Sequence, residues 1–594
     1  MQKFKKTMQA LKFLLSKVWG QKYGKIYILL RSAATAVGPF ISIMATIYSG
    51  LLIDELTGER RIRTLVIYAV CMIVLPVVWG FINDVIYYIC TTRFEYKINR
   101  SFEAEFYEHL SRLDYDFFDH TELKNLRGEA GEVVMNNFIG SVDFVCRIIS
   151  TVLNLVLLLS LVTSLNLFVS LIILANVFLN YFISKKHKSK LIEYDGERHE
   201  LWNAHWVYAY LLEANYYAKE VRLFNMAKLI INKLTKSTEA MDELKRKQDK
   251  TSRVAGGCTR LTGFIQNAFL YVYVIWAVLA DVITVGRMSI FISAAGQLSG
   301  ALNSFSVMYL DLYRDSAKVQ KYIDFMNIAQ YQCTTGDKEP HWDSDSVIEF
   351  RNVSFSYPGS DRLVIENLNL TIKANETLAI VGKNGSGKST FVKLLTRLYV
   401  PKSGEILLNG LNIYEYDYYK YQNLFSPVFQ DYNTYDMTVA ENVALDDNID
   451  KEKVEWSCRL AEIWETVEKM PLGVDTHVGT NIDPNGVEMS GGETQRLAIA
   501  RARYHDREVY LLDEPTAALD PDAERKIYTQ FHQMTLGKCA VLITHRLSAV
   551  QLADKVAVFD DGHVAEYGTH SELYAKGGIY RDMFDKQAEF YREA

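Results

Sequence analysis

The distribution of apolar residues divides the chain into two parts. Between residue 26 and about residue 310, six windows of roughly 20 predominantly apolar residues occur, the length that a helix needs to cross a bilayer. The predicted spans are residues 26–52, 65–90, 143–162, 167–183, 261–282 and 289–312. From Val347 onward, short apolar strands alternate with helical stretches, which predicts an α/β domain with a largely parallel sheet. Its strands are expected at residues 347–350, 377–381, 405–408, 509–512, 540–543 and 555–559.

Lysine and arginine positions predict the orientation of these spans. The N-terminal lysines and the basic run 185–190 favour a cytoplasmic location for the N-terminus and for the connections 91–142 and 184–260. Both connections are rich in Glu, Lys, Leu and Tyr and poor in Gly and Pro, so we expect the membrane helices to continue into the cytoplasm. Residues 1–25 mix lysines with large apolar residues, which indicates an amphipathic helix on the membrane surface rather than a signal peptide.

Several polar and aromatic residues within the spans leave alternatives open. Arg31, Asp143 and Arg147 lie near span ends, where they either snorkel to the interface or face a cavity or a partner. Asp84 lies deep in its span and suits either a transport pathway or a structural pair. The spans also contain the uncharged polar residues Asn154, Gln266 and Asn267. Aromatic residues such as Trp79 would either line a substrate cavity or anchor the helices at the membrane interface.

Composition mainly argues against certain partners and sites. A net charge of −6 over 594 residues, with no acidic or basic tail, gives no sign of a nucleic-acid partner. The seven cysteines are scattered without a CxxC pair, so neither a zinc site nor a disulfide framework is indicated. The lipid bilayer is therefore the first partner that the sequence predicts.

A glycine-rich loop between a strand and a helix carries the first chemistry. Residues 382–390 read Gly-Lys-Asn-Gly-Ser-Gly-Lys-Ser-Thr and match the phosphate-loop pattern G-x-x-x-x-G-K-S/T. Its backbone N–H groups can surround phosphate oxygens, Lys388 adds a positive charge, and the Ser389 hydroxyl can hold Mg²⁺. The loop predicts a site for ATP or GTP. Its expected nucleotide-binding residues are Gly382, Asn384, Gly385, Ser386, Gly387, Lys388, Ser389 and Thr390.

Two carboxylates at the end of an apolar strand form the second motif. Asp513 and Glu514 follow the run Val-Tyr-Leu-Leu at 509–512. A strand of this kind would bring Asp513 beside the phosphate loop, where it can hold Mg²⁺. Glu514 is then expected to polarise the attacking water as a general base.

The run 489–493, Met-Ser-Gly-Gly-Glu, lies between these motifs and resembles the signature of the ATP-binding cassette family. The resemblance implies that Tyr357 stacks on adenine and that Gln430 contacts Mg²⁺ and faces the membrane domain. It further implies that Asp520 belongs to the D-loop and that His545 reports the γ-phosphate. The family signature usually ends in Gln. The Glu here would either weaken closure around ATP or be harmless if its side chain points elsewhere, and we favour the second interpretation.

Six spans followed by one cassette resemble a half-transporter of the exporter type, similar to Gram-positive peptide and multidrug exporters. Two such chains would pair, and each ATP would lie between the phosphate loop of one chain and the signature of the other. The signature residues expected to act on the partner's nucleotide are Ser490, Gly491, Gly492 and Glu493. The resemblance implies a catalytic set of Glu514, His545, Lys388 and Gln430, and Mg²⁺ ligands Ser389, Gln430 and Asp513. It also implies coupling helices near 114–119 and 218–224.

Together these features predict an ATP-hydrolysing exporter that works by alternating access as a dimer. Its substrate would be a peptide or amphipathic small molecule, its cofactors ATP and Mg²⁺, and its location the bacterial plasma membrane with the cassette in the cytoplasm. A lipid flippase and a membrane ATPase with a sensing or immunity role remain alternatives. An identical partner chain is favoured over a different one. The predicted divisions are an amphipathic helix (1–25), a transmembrane domain (26–328), a linker (329–346) and a nucleotide-binding domain (347–594). The resemblance implies that the last is an α/β P-loop ATPase domain with a helical subdomain.

Overall fold

The computed structural model describes residues 2–135, 138–165, 167–328, 336–514, 521–544, 546 and 550–592. It divides into two compact units. The first comprises Met1–Glu108 and Leu126–Asn327, and the second comprises His109–Asn125 and Ile328–Ala594.

Long helices build the first unit, and the last residues of α4 and the first residues of α5 belong to the second unit. They are α1 (Gln2–Gly20), α2 (Gly24–Thr57), α3 (Ile62–Ile89), α4 (Tyr96–Ser111), α5 (Thr121–Met135), α6 (Phe138–Leu165), α7 (Leu167–Glu213), α8 (Asn215–Leu223), α9 (Ala227–Leu279) and α10 (Val285–Met326). A π-helical turn, Cys90–Glu95, joins α3 to α4, and a 3₁₀ turn, Tyr115–Asp119, lies between α4 and α5.

Five stretches of helix among the described residues are long and apolar enough to cross a membrane, and they overlap the first five predicted spans. These stretches are Gly24–Thr57, Ile62–Ser111, Val142–Thr163, Val169–Glu213 and Ala227–Leu279. The sixth predicted span, 289–312, lies inside α10, which has 42 residues but is not among the five. The 47 residues of α7 and the 53 of α9 pack along each other. At a rise of about 1.5 Å per residue, each is more than twice as long as a bilayer core of about 30 Å is thick. The predicted extension of the helices beyond the membrane is therefore confirmed.

The N-terminal helix packs against its own unit. α1 ends at Gly20, and Ala10, Leu14 and Val18 on one of its faces are buried. The ring of Phe13 lies 6.4 Å from that of Tyr322 in α10. Part of the apolar face that the sequence assigned to the membrane surface is thus covered by protein.

The charged residues Arg31 and Asp143 form a pair, which decides between the two interpretations of these groups. The Arg31 guanidinium is buried and donates from Nε to Asp143 Oδ1 at 2.7 Å. Arg147 Nε lies 3.3 Å from the other carboxylate oxygen, and the Arg31 guanidinium lies 4.7 Å from the centre of the Tyr87 ring. Pairing therefore replaces snorkelling for Arg31 and Asp143. Asp84 is exposed on α3.

The second unit contains two sheets and the helices that cover them. Its strands are β1 (Val347–Phe355), β2 (Ile365–Lys373), β3 (Thr377–Gly382), β4 (Ser403–Leu408), β5 (Leu411–Asn412), β6 (Phe425–Val428), β7 (Val509–Asp513), β8 (Cys539–Ile543), β9 (Lys555–Asp560) and β10 (His563–Gly568). Its helices are α11 (Lys388–Leu395), α12 (Tyr418–Gln422), α13 (Val439–Ala444), α14 (Lys451–Leu460), α15 (Trp464–Glu468), α16 (Gly491–His505), α17 (Pro521–Thr535), α18 (His570–Lys576) and α19 (Ile579–Arg592).

The larger sheet has the strand order β10-β9-β3-β8-β7-β6 and is parallel except for β10. The predicted parallel sheet is therefore confirmed for β3, β7, β8 and β9. It is wrong for the predicted strands at 347–350 and 405–408, because β1 and β4 belong to a separate antiparallel sheet ordered β2-β1-β4-β5. The physical difference is burial: β7 and β8 are buried along their whole length, as parallel strands covered on both faces are, whereas β1 and β2 include exposed positions.

Two apolar cores fix the larger sheet in place. On one side, the ring of Phe391 in α11 lies between those of Phe350 in β1 and Phe559 in β9, at ring distances of 4.7 and 5.7 Å. On the other, α13, α14 and α16 pack on β7 and form the helical subdomain that the sequence predicted. Because parallel strands end at the same edge of a sheet, the segments that follow β3 and β7 lie near each other.

Candidate active site

The loop after β3 curls at glycines whose conformation other residues adopt only with strain. Gly382 ends the strand at φ +154°, and a Cβ there would lie 2.2 Å from the carbonyl oxygen of Phe559. Gly385 and Gly387 have φ values of +80° and +101°. The loop leads directly into the N-terminus of α11, where backbone N–H groups and the helix dipole favour the binding of an anion.

Lys388, the first residue of α11, folds back over this loop. Its side chain is buried, and Nζ donates to the carbonyl oxygens of Gly382 and Lys383, both at 2.9 Å. Burial lowers the pKa of Lys388, while the charges of Glu514 and Asp513 oppose that shift. The loop thus holds a cation whose preferred neighbours are negative groups.

Asp513 lies at the buried end of β7, where neighbouring charges and burial act on its carboxyl group. Burial raises its pKa to about 6, the neighbouring Glu514 charge adds to the shift, and Lys388 and a hydrogen bond with Ser389 oppose it. Its Oδ1 has no hydrogen-bond partner among the described residues, and the same holds for the buried Ser386 hydroxyl oxygen. Unpartnered buried oxygens of this kind are rare and costly. The oxygens of Asp513 and Ser389 therefore fit a hard divalent cation such as Mg²⁺.

Glu514 is held in a strained conformation that directs it into the site. Its φ is +47°, a left-handed value that non-glycine residues seldom adopt. Its backbone N–H donates to the Ile543 carbonyl oxygen at 3.0 Å, and its Oε2 accepts a hydrogen bond from Gln430 Nε2 at 3.2 Å. Strain at such a position is often associated with function. Here it places a carboxylate beside Lys388 and Gln430.

A cavity of about 860 Å³ joins these groups, a size that suits a nucleotide. On one wall, the Tyr357 hydroxyl lies 2.9 Å from Thr390 Oγ1, and Lys393 Nζ lies 5.4 Å from the centre of the Tyr357 ring. The predicted residues that line the cavity are Tyr357, Asn384, Gly385, Gly387, Lys388, Ser389, Thr390, Gln430 and Glu514. The predicted residues Asp520 and His545 lie outside the described residues.

Sequence reasoning missed part of the cavity wall. The missed residues are Arg362, Leu363, Val364, Asp561 and Gly562. Asp561-Gly562 is the turn between β9 and β10, and an Asp-Gly pair between two apolar runs is a recognised hairpin signal. The Gly562 carbonyl accepts from the backbone N–H of Glu366 at 3.1 Å, which ties this turn to β2.

The signature run lies at the N-terminus of α16, and two of its residues hydrogen-bond to each other. Ser490 is the N-cap residue, and Glu493 Oε2 accepts hydrogen bonds from Ser490 N at 2.8 Å and Ser490 Oγ at 2.7 Å. These bonds lower the pKa of Glu493. The side chain thus points at Ser490, a capping box that the pattern Ser-x-x-Glu could have predicted. None of the four signature residues lines the cavity formed by the described residues of the chain.

Replacing Glu493 separates its capping role from its charge. Glu493→Ala removes half of the capping box and should cost about 1 kcal/mol of unfolding free energy. Glu493→Gln keeps an acceptor oxygen but loses the charge, so it should lose less stability than Glu493→Ala, which thermal unfolding of both variants would test. The contribution of the carboxylate is present above the ordinary glutamate pKa and decreases as the pH falls through its lowered pKa. Equal losses in both variants would mean that the charge, rather than the acceptor, stabilises α16.

The short segment 109–125 belongs to the same unit as the cavity. Its 3₁₀ turn coincides with the first predicted coupling helix, while α8 coincides with the second. Tyr399 donates a short hydrogen bond from its hydroxyl to Asp119. The Tyr399 ring lies edge-on to Tyr115 at 5.5 Å and to Tyr357 at 5.4 Å. A continuous aromatic contact therefore links this segment to the wall of the cavity.

Two family models match the chain. The model described as the ABC transporter transmembrane region matches residues 28–302, and the one described as ABC transporter matches residues 365–517. The subtilin transport ATP-binding protein SpaT of Bacillus subtilis is 32% identical over 392 residues, which are 64% of this chain and 62% of the relative. An ATP-dependent lipid A-core flippase of Escherichia coli (strain K12) is 32% identical over 379 residues, 62% of this chain and 63% of the relative. The matched region thus spans slightly less than two thirds of these relatives.

The fold also matches a solved structure. A bacterial Atm1-family ABC exporter with ATP bound superposes with a TM-score of 0.82 at 22% identity, covering 95% of this chain and 98% of the other. At this identity the likeness shows the fold.

Proposed function

We propose that this chain, which belongs to the ABC transporter family, is an ATP-hydrolysing exporter that moves a peptide or amphipathic molecule out of the bacterial cytoplasm. The observation that carries the proposal is the group formed by Lys388, Asp513, Glu514 and Gln430 beside one cavity. The same chain contains helices apolar and long enough to cross a membrane. A cassette fused to membrane helices suits energy coupling better than a soluble ATPase.

The proposed hydrolysis assigns each group one task. The loop N–H groups and Lys388 hold the phosphates, while Ser389 and Asp513, with Gln430 nearby, would hold Mg²⁺. The bound ion would neutralise charge on the phosphate oxygens. Glu514 takes a proton from the attacking water. The oxygen of that water bonds to the γ-phosphorus as the bond between the γ-phosphorus and the oxygen of the leaving ADP breaks. The products are ADP and phosphate.

The proposed partner is a second copy of the chain. The signature residues Ser490, Gly491 and Gly492 do not line the chain's own cavity among the described residues, so a second chain is the natural source of these groups. Lys388, Asp513 and Glu514 are all present, which supports a pair of identical, competent chains over an asymmetric pair. The expected location is the plasma membrane with the cassettes in the cytoplasm.

Transport in inside-out vesicles tests the proposal against its alternatives. Purified protein is reconstituted, and the ATP-dependent accumulation of a labelled amphipathic peptide and the movement of a labelled lipid are followed, with a non-hydrolysable ATP analogue as control. Peptide accumulation supports the exporter. Lipid movement alone would replace it with the flippase, a function for which the similarity to a lipid A-core flippase speaks. ATP hydrolysis that moves neither cargo would favour a sensing or immunity role.

A further inference from the structure

A set of uncharged polar side chains converges within the membrane helices of the first unit. Ser42, Thr46 and Ser49 recur on one face of α2, and Ser293 and Gln297 recur one helical turn apart on α10. Trp79 of α3 completes the group, which we name the polar pocket.

Gln297 is the centre of the polar pocket. Its amide Nε2 donates to Thr46 Oγ1 at 2.7 Å and to Ser293 Oγ at 3.2 Å, and its Oε1 accepts from Ser42 Oγ at 2.9 Å. These bonds fix the amide between two helices and leave lone pairs of the three hydroxyl groups for further donors. The indole N–H of Trp79 has no hydrogen-bond partner among the described residues.

The polar groups that join α2 and α10 also line an open space. They line a cavity of about 490 Å³, and its wall includes Gly38, whose missing side chain leaves room beside Trp79 Nε1. Because polar groups inside a membrane are costly, a cavity lined with them points to a polar ligand.

The chemistry of the lining limits the class of ligand. No residue of the polar pocket carries a formal charge, so neither a phosphate headgroup nor an ammonium group would find a counter-ion there. Hydroxyl oxygens accept from N–H donors, while the Trp79 N–H and the hydroxyl groups can donate to carbonyl oxygens. Backbone amides, which carry one donor and one acceptor each, match this lining. The indole ring offers a surface for apolar side chains.

We propose that the polar pocket between α2, α3 and α10 binds uncharged backbone amides of an apolar peptide, with Gln297 and Trp79 as the specificity-determining residues. This inference rests on the proposed export function and names its substrate class.

Binding is measured in nanodiscs without nucleotide, using an apolar decapeptide that is N-acetylated and C-amidated. We expect Gln297→Leu to weaken its binding about tenfold, since the three hydrogen bonds that hold the hydroxyl groups of the polar pocket in place are lost. Trp79→Phe, which keeps the ring but removes the N–H, should weaken binding about threefold to fivefold. Gln320→Leu is the matched control, because Gln320 lies on α10 outside the polar pocket and bonds to Asp324.

Ligand variants test the same point from the other side. A backbone N-methylated form of the decapeptide lacks amide donors and should bind at least about fivefold more weakly to the wild type. A short-chain phosphatidylglycerol should not displace the unmodified peptide. The proposal is overturned if Gln297→Leu and Trp79→Phe both bind like Gln320→Leu, if N-methylation has no effect, or if the lipid competes fully. Failure of ATP-driven transport would instead count against the exporter function, because this binding assay uses no ATP.

Discussion

Replacing Glu514 by Gln is expected to lower ATP hydrolysis by about 100- to 10,000-fold, the range that a general base contributes. The substitution keeps the shape of the side chain and its contact with Gln430, but it removes the carboxylate that can accept a proton. The backbone bond from Glu514 N to the Ile543 carbonyl should hold the residue in its left-handed conformation in both proteins. ATP should therefore still bind with similar affinity, and only the rate of ATP turnover should decrease.

Steady-state phosphate release and equilibrium binding of a fluorescent ATP analogue, measured on the same preparation, separate these effects. Glu508→Gln is the matched control, because Glu508 precedes the same strand at its opposite, exposed end. The vesicle assay extends the test, since peptide accumulation should fall with hydrolysis. Wild-type turnover in Glu514→Gln would remove Glu514 as the general base. A parallel loss of ATP binding would assign it a structural role instead.

The site could be predicted from the sequence because its parts are local. The loop at 382–390 and the pair Asp513–Glu514 are each read from a few consecutive residues. The parallel sheet then brings the two together without further information, since β3 and β7 end at one edge. That parallel strands end at the same edge of a sheet was enough to predict this proximity. The strained conformation of Glu514 and the unpartnered Asp513 oxygen could be seen only in the three-dimensional structure.

Features that depend on distant partners could not be predicted in the same way. The strands β1 and β4 have local patterns that resemble those of the parallel strands, and only their pairing with each other and with β2 makes the second sheet antiparallel. The hydrogen bonds between Ser490 and Glu493 are a different case, because they are local and the capping-box pattern Ser-x-x-Glu predicts them.

The polar pocket shows the same limit within the membrane helices. Threonine changes the hydropathy of a span only slightly and glutamine carries no charge, so Thr46 and Gln297 did not stand out as Arg31 and Asp143 did. Their meaning depends on α2 and α10 packing with these faces together. The charged pair, which was visible in the sequence, holds α2 to α6. Thr46 and Gln297, which were not, line a cavity together with Trp79, one of the aromatic residues for which the sequence left a cavity-lining role open.

Replacing Lys388 by Met is expected to weaken ATP binding by about 100-fold. The ammonium group now bonds to the carbonyl oxygens of Gly382 and Lys383, which are weak partners for a buried cation. Phosphate oxygens would be stronger ones, and a hydrogen bond to a charged group contributes about 1.5–3 kcal/mol. Burial already lowers the pKa of Lys388, so an anion that restores its charge balance gains more here than it would at the surface.

The matched control is Lys383→Met, because Lys383 belongs to the same loop but its side chain is exposed and lies 3.9 Å from Asp560. Its ATP affinity should stay within about threefold of wild type, as surface charges contribute little. Equilibrium ATP binding then gives opposite patterns for the two central residues: Lys388→Met loses affinity, and Glu514→Gln keeps it while losing turnover. Unchanged affinity in Lys388→Met, in a protein that unfolds at the wild-type temperature, would mean that the backbone of the loop alone holds the phosphates.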